Sequence, residues 1–172
     1  YKENEYTKIH LVPFGEYLPF RNLLESRISR FNLLSRDFVK GNQIVNFQID
    51  EILISPIICF EVAWNDVLSQ QISNGGELIS VHTNNATYAF SDQINQQFQI
   101  TRFRAIEAGR QTVISATTGI SAHINEYGEV LWKSDEFKPM SHLANVKMIS
   151  KITPAINYNY EINLITIVSL FV

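Results

Sequence analysis

The 172-residue chain is short of cysteine, with Cys59 as its only one. A single thiol excludes an internal disulfide and any metal site built from several thiolates. Charge of one sign is not in excess either. Fourteen Lys and Arg against seventeen Asp and Glu leave a net charge of −3, which supplies neither a basic face for nucleic acid nor a polybasic patch for anionic lipid. No nucleic-acid partner is expected. His10, His82, His123 and His142 are scattered without metal-ligand spacing, so no metal or cofactor is expected. Ser55 lacks a G-x-S-x-G setting, which leaves serine hydrolysis unsupported. The uncharged run "INLITIVSLFV" after Glu161 falls short of the roughly 20 residues a membrane-spanning helix needs. It reads either as a buried terminal strand or helix, or as the first half of a transmembrane segment cut by the chain end. The opening "YKENEY" has no initiator Met and no signal-peptide regions, and reads as a cut or processed boundary.

What is present suits one packed domain: 45% of the residues are hydrophobic and 12% aromatic. "YTKIHLV" alternates as a half-buried strand, with Ile9 and Leu11 on one face and Tyr6, Lys8 and His10 on the other. Pro13, Gly15 and Pro19 then make a loop, and Leu23, Leu24, Ile28 and Phe31 suggest a helix. "NQIVNFQIDEILISPIIC" reads as two strands joined around Asp50 and Glu51. Helical periodicity resumes after Cys59, with Phe60, Ala63, Trp64, Val67 and Leu68 on one side and a stop at Asn74, Gly75 and Gly76. "ELISVHT" is the next strand, and Asn84 to Ser91 a polar loop. A long helix follows, with Asp92 as its N-cap and Gly109 as its C-terminal stop. "QTVISAT", "GISAHIN", "GEVLWKS" and "HLANVKMI" read as strands, the middle pair turning at Tyr127 and Gly128. The order predicts an α/β or layered α+β domain with a helix-covered sheet.

The apolar run before Cys59, with an acid two residues after it, delivers a thiol to the end of a buried strand. At a strand-to-helix junction the backbone exposes a side chain, and helix N-terminal amides favour a thiolate. Position alone leaves two readings open, because unpaired cysteines are also common small core residues. Lys8 and Glu16 bracket a proline- and glycine-bent loop. Each taken singly reads equally as an edge-strand lysine and a loop acid.

Together these segments carry a resemblance. "K-x-H-L-V-P-F-G-E-Y-x-P" from Lys8 to Pro19, "I-C-F-E" from Ile58 to Glu61 and "Q-x-x-R-x-R-A-I-E-x-G-R" from Gln99 to Arg110 resemble the apolipoprotein N-acyltransferase family. That family belongs to the carbon-nitrogen hydrolase, or nitrilase, superfamily. The resemblance runs from Tyr6 to about Pro154. It implies a nitrilase-like four-layer α-β-β-α sandwich, incomplete at the N-terminus, over residues 1–153, with 154–172 as the start of a truncated transmembrane helix introduced by Thr153 and Pro154. Cys59 matches the nucleophile, Lys8 the triad lysine, Glu16 a supporting acid and Glu61 the acid after the cysteine. The triad glutamate lies upstream of the lysine in this family. Only Glu3 and Glu5 precede Lys8 here, so the general base is expected to be absent from this chain.

The implied activity is transfer of a fatty acyl group from a phospholipid donor, through a cysteine thioester, to the α-amine of the lipid-modified N-terminal cysteine of a bacterial apolipoprotein. The implied setting is the bacterial inner membrane, with the domain facing the periplasm. A soluble amidase of the same superfamily and a catalytically silent remnant of the family are the alternatives. The chain departs from the family at Asn84–Ala89, where Asn-Asp-Ala-Trp-Phe-Gly is usual, and at Phe60, where the family has Tyr. Arg102, Arg104 and Arg110 are candidates either for gripping a phosphate head group or for ordinary salt bridges.

Overall fold

The computed structural model describes residues 5–21, 36–88, 91–159, 161, 162, 166 and 169. The helix expected through Leu23, Leu24, Ile28 and Phe31 lies outside them. Six strands form one mixed sheet in the order of the chain: β1 (Phe47–Ile49), β2 (Ile52–Ile58), β3 (Leu78–Thr83), β4 (Thr112–Ala116), β5 (Ala122–Ile124) and β6 (Val130–Lys133). β2, β3 and β4 are parallel, while β1, β5 and β6 join antiparallel at the two sides. The parallel pairs are connected through α1 (Asn65–Ser73) and α2 (Gln93–Ala108), giving two βαβ crossovers. The domain is thus α/β, and no second sheet of the expected four-layer sandwich occurs among the described residues.

The apolar run of β2 is explained by its place inside the sheet, where Ser55, Pro56 and Ile57 are buried. Pro56 is tolerated because β1 pairs only with Ile52, Leu53 and Ile54, so the proline sits past the end of that ladder and costs it no hydrogen bond. The Pro56 carbonyl accepts from buried Gln71 Nε2 at 2.8 Å. Ile57, Val62, Leu68, Ile79, Val81 and Phe98 belong to a core packed between sheet and helices. Gly109 ends α2 in the left-handed region at φ 60°, and a Cβ there would lie 2.6 Å from Thr153 Cγ2.

Four expectations are corrected. Tyr6–Val12 forms no strand, because its backbone groups are used elsewhere: the Ile9 and His10 amides donate to the Glu61 carboxylate, and the Lys8 carbonyl accepts from the Gly41 amide at 2.8 Å. Helix does not run on from Cys59. A 3-10 turn covers Cys59–Ala63, Trp64 is extended at φ −94° and ψ 132°, and α1 starts only at Asn65. Phe60 and Trp64 are therefore left exposed while Val67 and Leu68 enter the core. Asp92 precedes α2 but makes no side-chain capping bond. "HLANVKMI" is not a strand either, since the Lys147 amide donates to the Gln111 side chain at 3.1 Å rather than to a ladder.

At the C-terminal end, the Thr153 hydroxyl accepts from the Ile156 amide and Pro154 opens α3 (Pro154–Asn157). Glu161, Ile162, Thr166 and Ser169 are also helical. No helix among the described residues is long and apolar enough to cross a membrane.

Candidate active site

Parallel strands bring their C-terminal ends to one edge of the sheet. Ile58 is in register with His82, and Thr83 with Ala116, so Cys59 leaves the sheet on the edge from which the loops after β3 and β4 also depart. Open α/β sheets bind ligands outside this edge. Cys59 is partly buried and has φ 57°, a left-handed conformation that a non-glycine residue adopts at a cost. A thiol on a tight strand-to-turn corner is turned out of the sheet instead of packing within it. The α-helix N-terminus expected behind the thiol is absent, because only the short 3-10 turn begins there.

Glu61 holds that corner. Fully buried, it accepts from the Ile9 amide at 2.7 Å and the His10 amide at 3.2 Å through Oε1, and from the Ile58 amide at 3.2 Å through Oε2. Three backbone donors compensate the desolvation of a buried carboxylate. The clamp joins the segment just after Lys8 to the residue just before Cys59. Burial first, and the Glu61 charge second, push the Tyr6 phenol up. Its hydroxyl is enclosed beside that carboxylate without a hydrogen bond of ordinary geometry.

Lys8 is 7% exposed, so the expectation of a lysine on a polar strand face is corrected. Its Nζ donates to both Glu16 oxygens at 2.8 Å, and Glu16 Oε2 also accepts from the Val12 amide at 2.8 Å. The proline- and glycine-bent loop between them reverses the chain, with the Phe14 amide donating to the Tyr17 carbonyl at 2.8 Å. Gly41 packs behind Lys8: a Cβ on it would fall 2.1 Å from the Thr7 carbonyl oxygen. Nothing in the spacing of the sequence signalled Gly41, because its contact lies more than thirty residues away in the chain.

Beside the corner, Val12, Phe60, Tyr88, Gln93 and Gln96 line a cleft of about 240 Å³. The Tyr88 phenol is pushed up, by burial first. His10 stacks on Trp64 with ring centroids 4.5 Å apart and bonds Asp66 at 2.9 Å, bracing the 3-10 turn from outside. Glu5, one of the two acids preceding Lys8, is exposed and borders a different depression, shared with Lys40 and Asn42. The three arginines are all engaged within the protein. Arg102 reaches the Gly128 carbonyl, Arg104 the Val62 and Ala63 carbonyls and Glu107, and Arg110 a set of backbone carbonyls.

The fold defines a class. Solved structures similar to this one include a mutant of the Nesterenkonia AN1 amidase from the nitrilase superfamily, at TM-score 0.51 and 18% identity over 60% of this chain and 42% of that one. A carbon-nitrogen hydrolase from Helicobacter pylori G27 is similar at TM-score 0.51 and 15% identity, over 58% of this chain and 42% of that one. At these identities the likeness establishes a nitrilase-like α/β fold. The carbon-nitrogen hydrolase family model matches residues 2–148, and the chain belongs to that family. Curated relatives named apolipoprotein N-acyltransferase are similar over most of the chain. The protein of Borreliella burgdorferi is 33% identical over 87% of this chain, that of Synechocystis sp. 35% over 75%, and that of Photobacterium profundum 29% over 89%. The chain spans 29%, 25% and 30% of the lengths of those proteins, respectively.

Proposed function

We propose that the chain is part of a membrane-associated bacterial N-acyltransferase that moves a fatty acyl group from a phospholipid to the N-terminal amine of an apolipoprotein, with Cys59 as nucleophile. The observation that carries this reading is the Glu61 clamp, which ties the Lys8 segment to the Cys59 corner. The names of the curated relatives supply the reaction class. The thiol gives its proton to a glutamate contributed by an upstream part of the whole protein. Sulfur then attacks the ester carbonyl, and the Lys8 ammonium, steered by Glu16, stabilises the oxyanion. Collapse breaks the ester C–O bond, the lysophospholipid alkoxide takes the proton, and a thioester remains. The acceptor amine attacks that thioester, a C–N bond forms, the C–S bond breaks and the thiol is restored. In this reading the domain faces the periplasm and 154–172 lead into the inner membrane.

The test is mass spectrometry of the intact natural protein after incubation with phospholipid vesicles. The expected result is a hydroxylamine-labile acyl adduct on Cys59, absent from Cys59→Ala and discharged by a diacylglyceryl-cysteine peptide. No adduct, or an adduct on another residue, overturns the assignment. Acylation from short amides in preference to phospholipid identifies an amidase instead.

A further inference from the structure

Arg104 reaches from α2 to the 3-10 turn that begins at Cys59. Its Nε donates to the Val62 carbonyl at 2.9 Å and its Nη2 to the Ala63 carbonyl at 2.8 Å. The last carbonyls of a helical turn lack partners within it, and no helix runs on to take them, because Trp64 is extended and α1 starts at Asn65. Nη1 pairs with Glu107 further along α2, so all three guanidinium nitrogens are engaged. The two side chains are 12% and 13% exposed. The same face of α2 is pinned to the sheet edge at Gln97, whose Nε2 donates to the Thr83 hydroxyl at 3.1 Å. The turn is thus held at both ends: Glu61 takes the Ile58 amide just before Cys59, and Arg104 takes the two carbonyls that close the turn.

We propose that Arg104 is a positioning residue of the reaction centre: by fixing the end of the turn, it keeps Cys59 left-handed and its thiol turned out of the sheet. The inference rests on Cys59 being the nucleophile, served by the Lys8 ammonium. Cys59 has φ 57°, and a non-glycine residue stays in that region only where its surroundings over-determine it. A guanidinium suits the task. Its rigid planar fork meets two neighbouring carbonyls at once, which an ammonium on a flexible stem does not, and bonds from a charged donor are stronger than neutral ones. With the fork gone, the turn is held at one end, Cys59 relaxes to an ordinary conformation, and the thiol loses its aim.

Arg104→Met removes charge and fork, and Arg104→Lys keeps the charge alone. Arg102→Met, on the same helix, loses the bonds to the Gly128 carbonyl and Gln99 and controls for general damage to α2. The readout is Cys59 alkylation by iodoacetamide against pH in the intact natural protein, with urea unfolding alongside so that folded protein is compared. In Arg104→Met the expected rate at pH 7 is lower by about tenfold, the size of one hydrogen bond to a charged group, and the midpoint moves upward. Arg104→Lys falls between, and Arg102→Met keeps the wild-type profile. Variants that unfold more easily but keep that profile show a structural role only and overturn the inference, as does equal slowing in Arg102→Met. Where Arg104→Met does not fold, Arg104→Lys and Glu107→Gln carry the same test. An unmoved profile in a protein that still forms the Cys59 acyl adduct sinks this inference and leaves the nucleophile reading intact. Slowed Arg104 variants in a protein that forms no such adduct leave the positioning of the thiol standing and overturn the nucleophile reading.

Discussion

Glu61 and Arg110 are both fully buried charges, and they sit at opposite ends of the parallel strands. Glu61, past the end of β2, is held by three backbone amides drawn from residues 9, 10 and 58. Arg110, just before β4, is held by carbonyls of Gly76 at 2.7 Å, Lys151 at 2.8 Å, Ala108 at 3.2 Å and Gly109 at 3.3 Å. Glu61 joins segments that no strand pairing joins, and Arg110 ties the Lys151 segment to the start of the paired strands β3 and β4. The difference is in what surrounds them. At the arginine end carbonyls meet Nε and Nη1 while Nη2 is buried without a hydrogen bond among the described residues, whereas the glutamate end also carries a left-handed cysteine, a buried lysine and a cleft. Equal burial therefore does not mean equal purpose: one charge holds the sheet together, and the other also aims side chains.

The largest expected effect comes from Glu61→Ala, which leaves three buried amides unpaired. Loss of about 3–5 kcal/mol in urea unfolding is expected, together with Cys59 alkylation falling to the rate of an ordinary thiol. Retention of fast alkylation in the folded variant would break the contrast between the two ends. Arg110→Met is expected to cost about 3 kcal/mol, yet to leave the alkylation rate of the folded protein unchanged. A slower thiol in that variant would show that the two ends are coupled.

The smallest effect concerns His123, buried at the far side of the sheet beside Gln111 and His142. Burial first, and the His142 charge second, hold its imidazole below the ordinary histidine range. The unfolded chain then binds the proton more readily than the folded one, so stability falls as pH drops through about 6.5. His123→Asn should flatten that acid limb by under 1 kcal/mol in denaturation followed at several pH values, while the Cys59 profile stays in place. An unchanged acid limb would remove His123 as its cause.

Most of the sheet was readable in the sequence because its strands announce themselves locally. The apolar run of β2, the turn at Asp50 and Glu51, the Gly109 stop and the hairpin at Gly128 all depend on residues within a few positions of one another. The segments that misled are those whose backbone groups are claimed from afar. Tyr6–Val12 alternates like a strand, but Glu61 and Gly41 take its amides and carbonyl. "HLANVKMI" has strand composition, but its Lys147 amide is engaged by Gln111. At the site, the motifs supplied Lys8, Glu16, Cys59 and Glu61. Tyr6, whose hydroxyl is enclosed near the Glu61 carboxylate, stood outside those motifs, because a phenol's electrostatic neighbours have no sequence spacing.

Local chemistry by itself determined which residues could react and where the parallel strands lie, since side-chain type and hydrophobic period are written along the chain. Only tertiary structure decided that the Lys8 segment and the Cys59 corner share one carboxylate, and that Lys8 is buried against Glu16. The reason is physical. A buried charge must find its hydrogen-bond partners wherever the fold brings backbone groups within about 3 Å of it, and such proximity is a property of the packed chain rather than of any stretch of it.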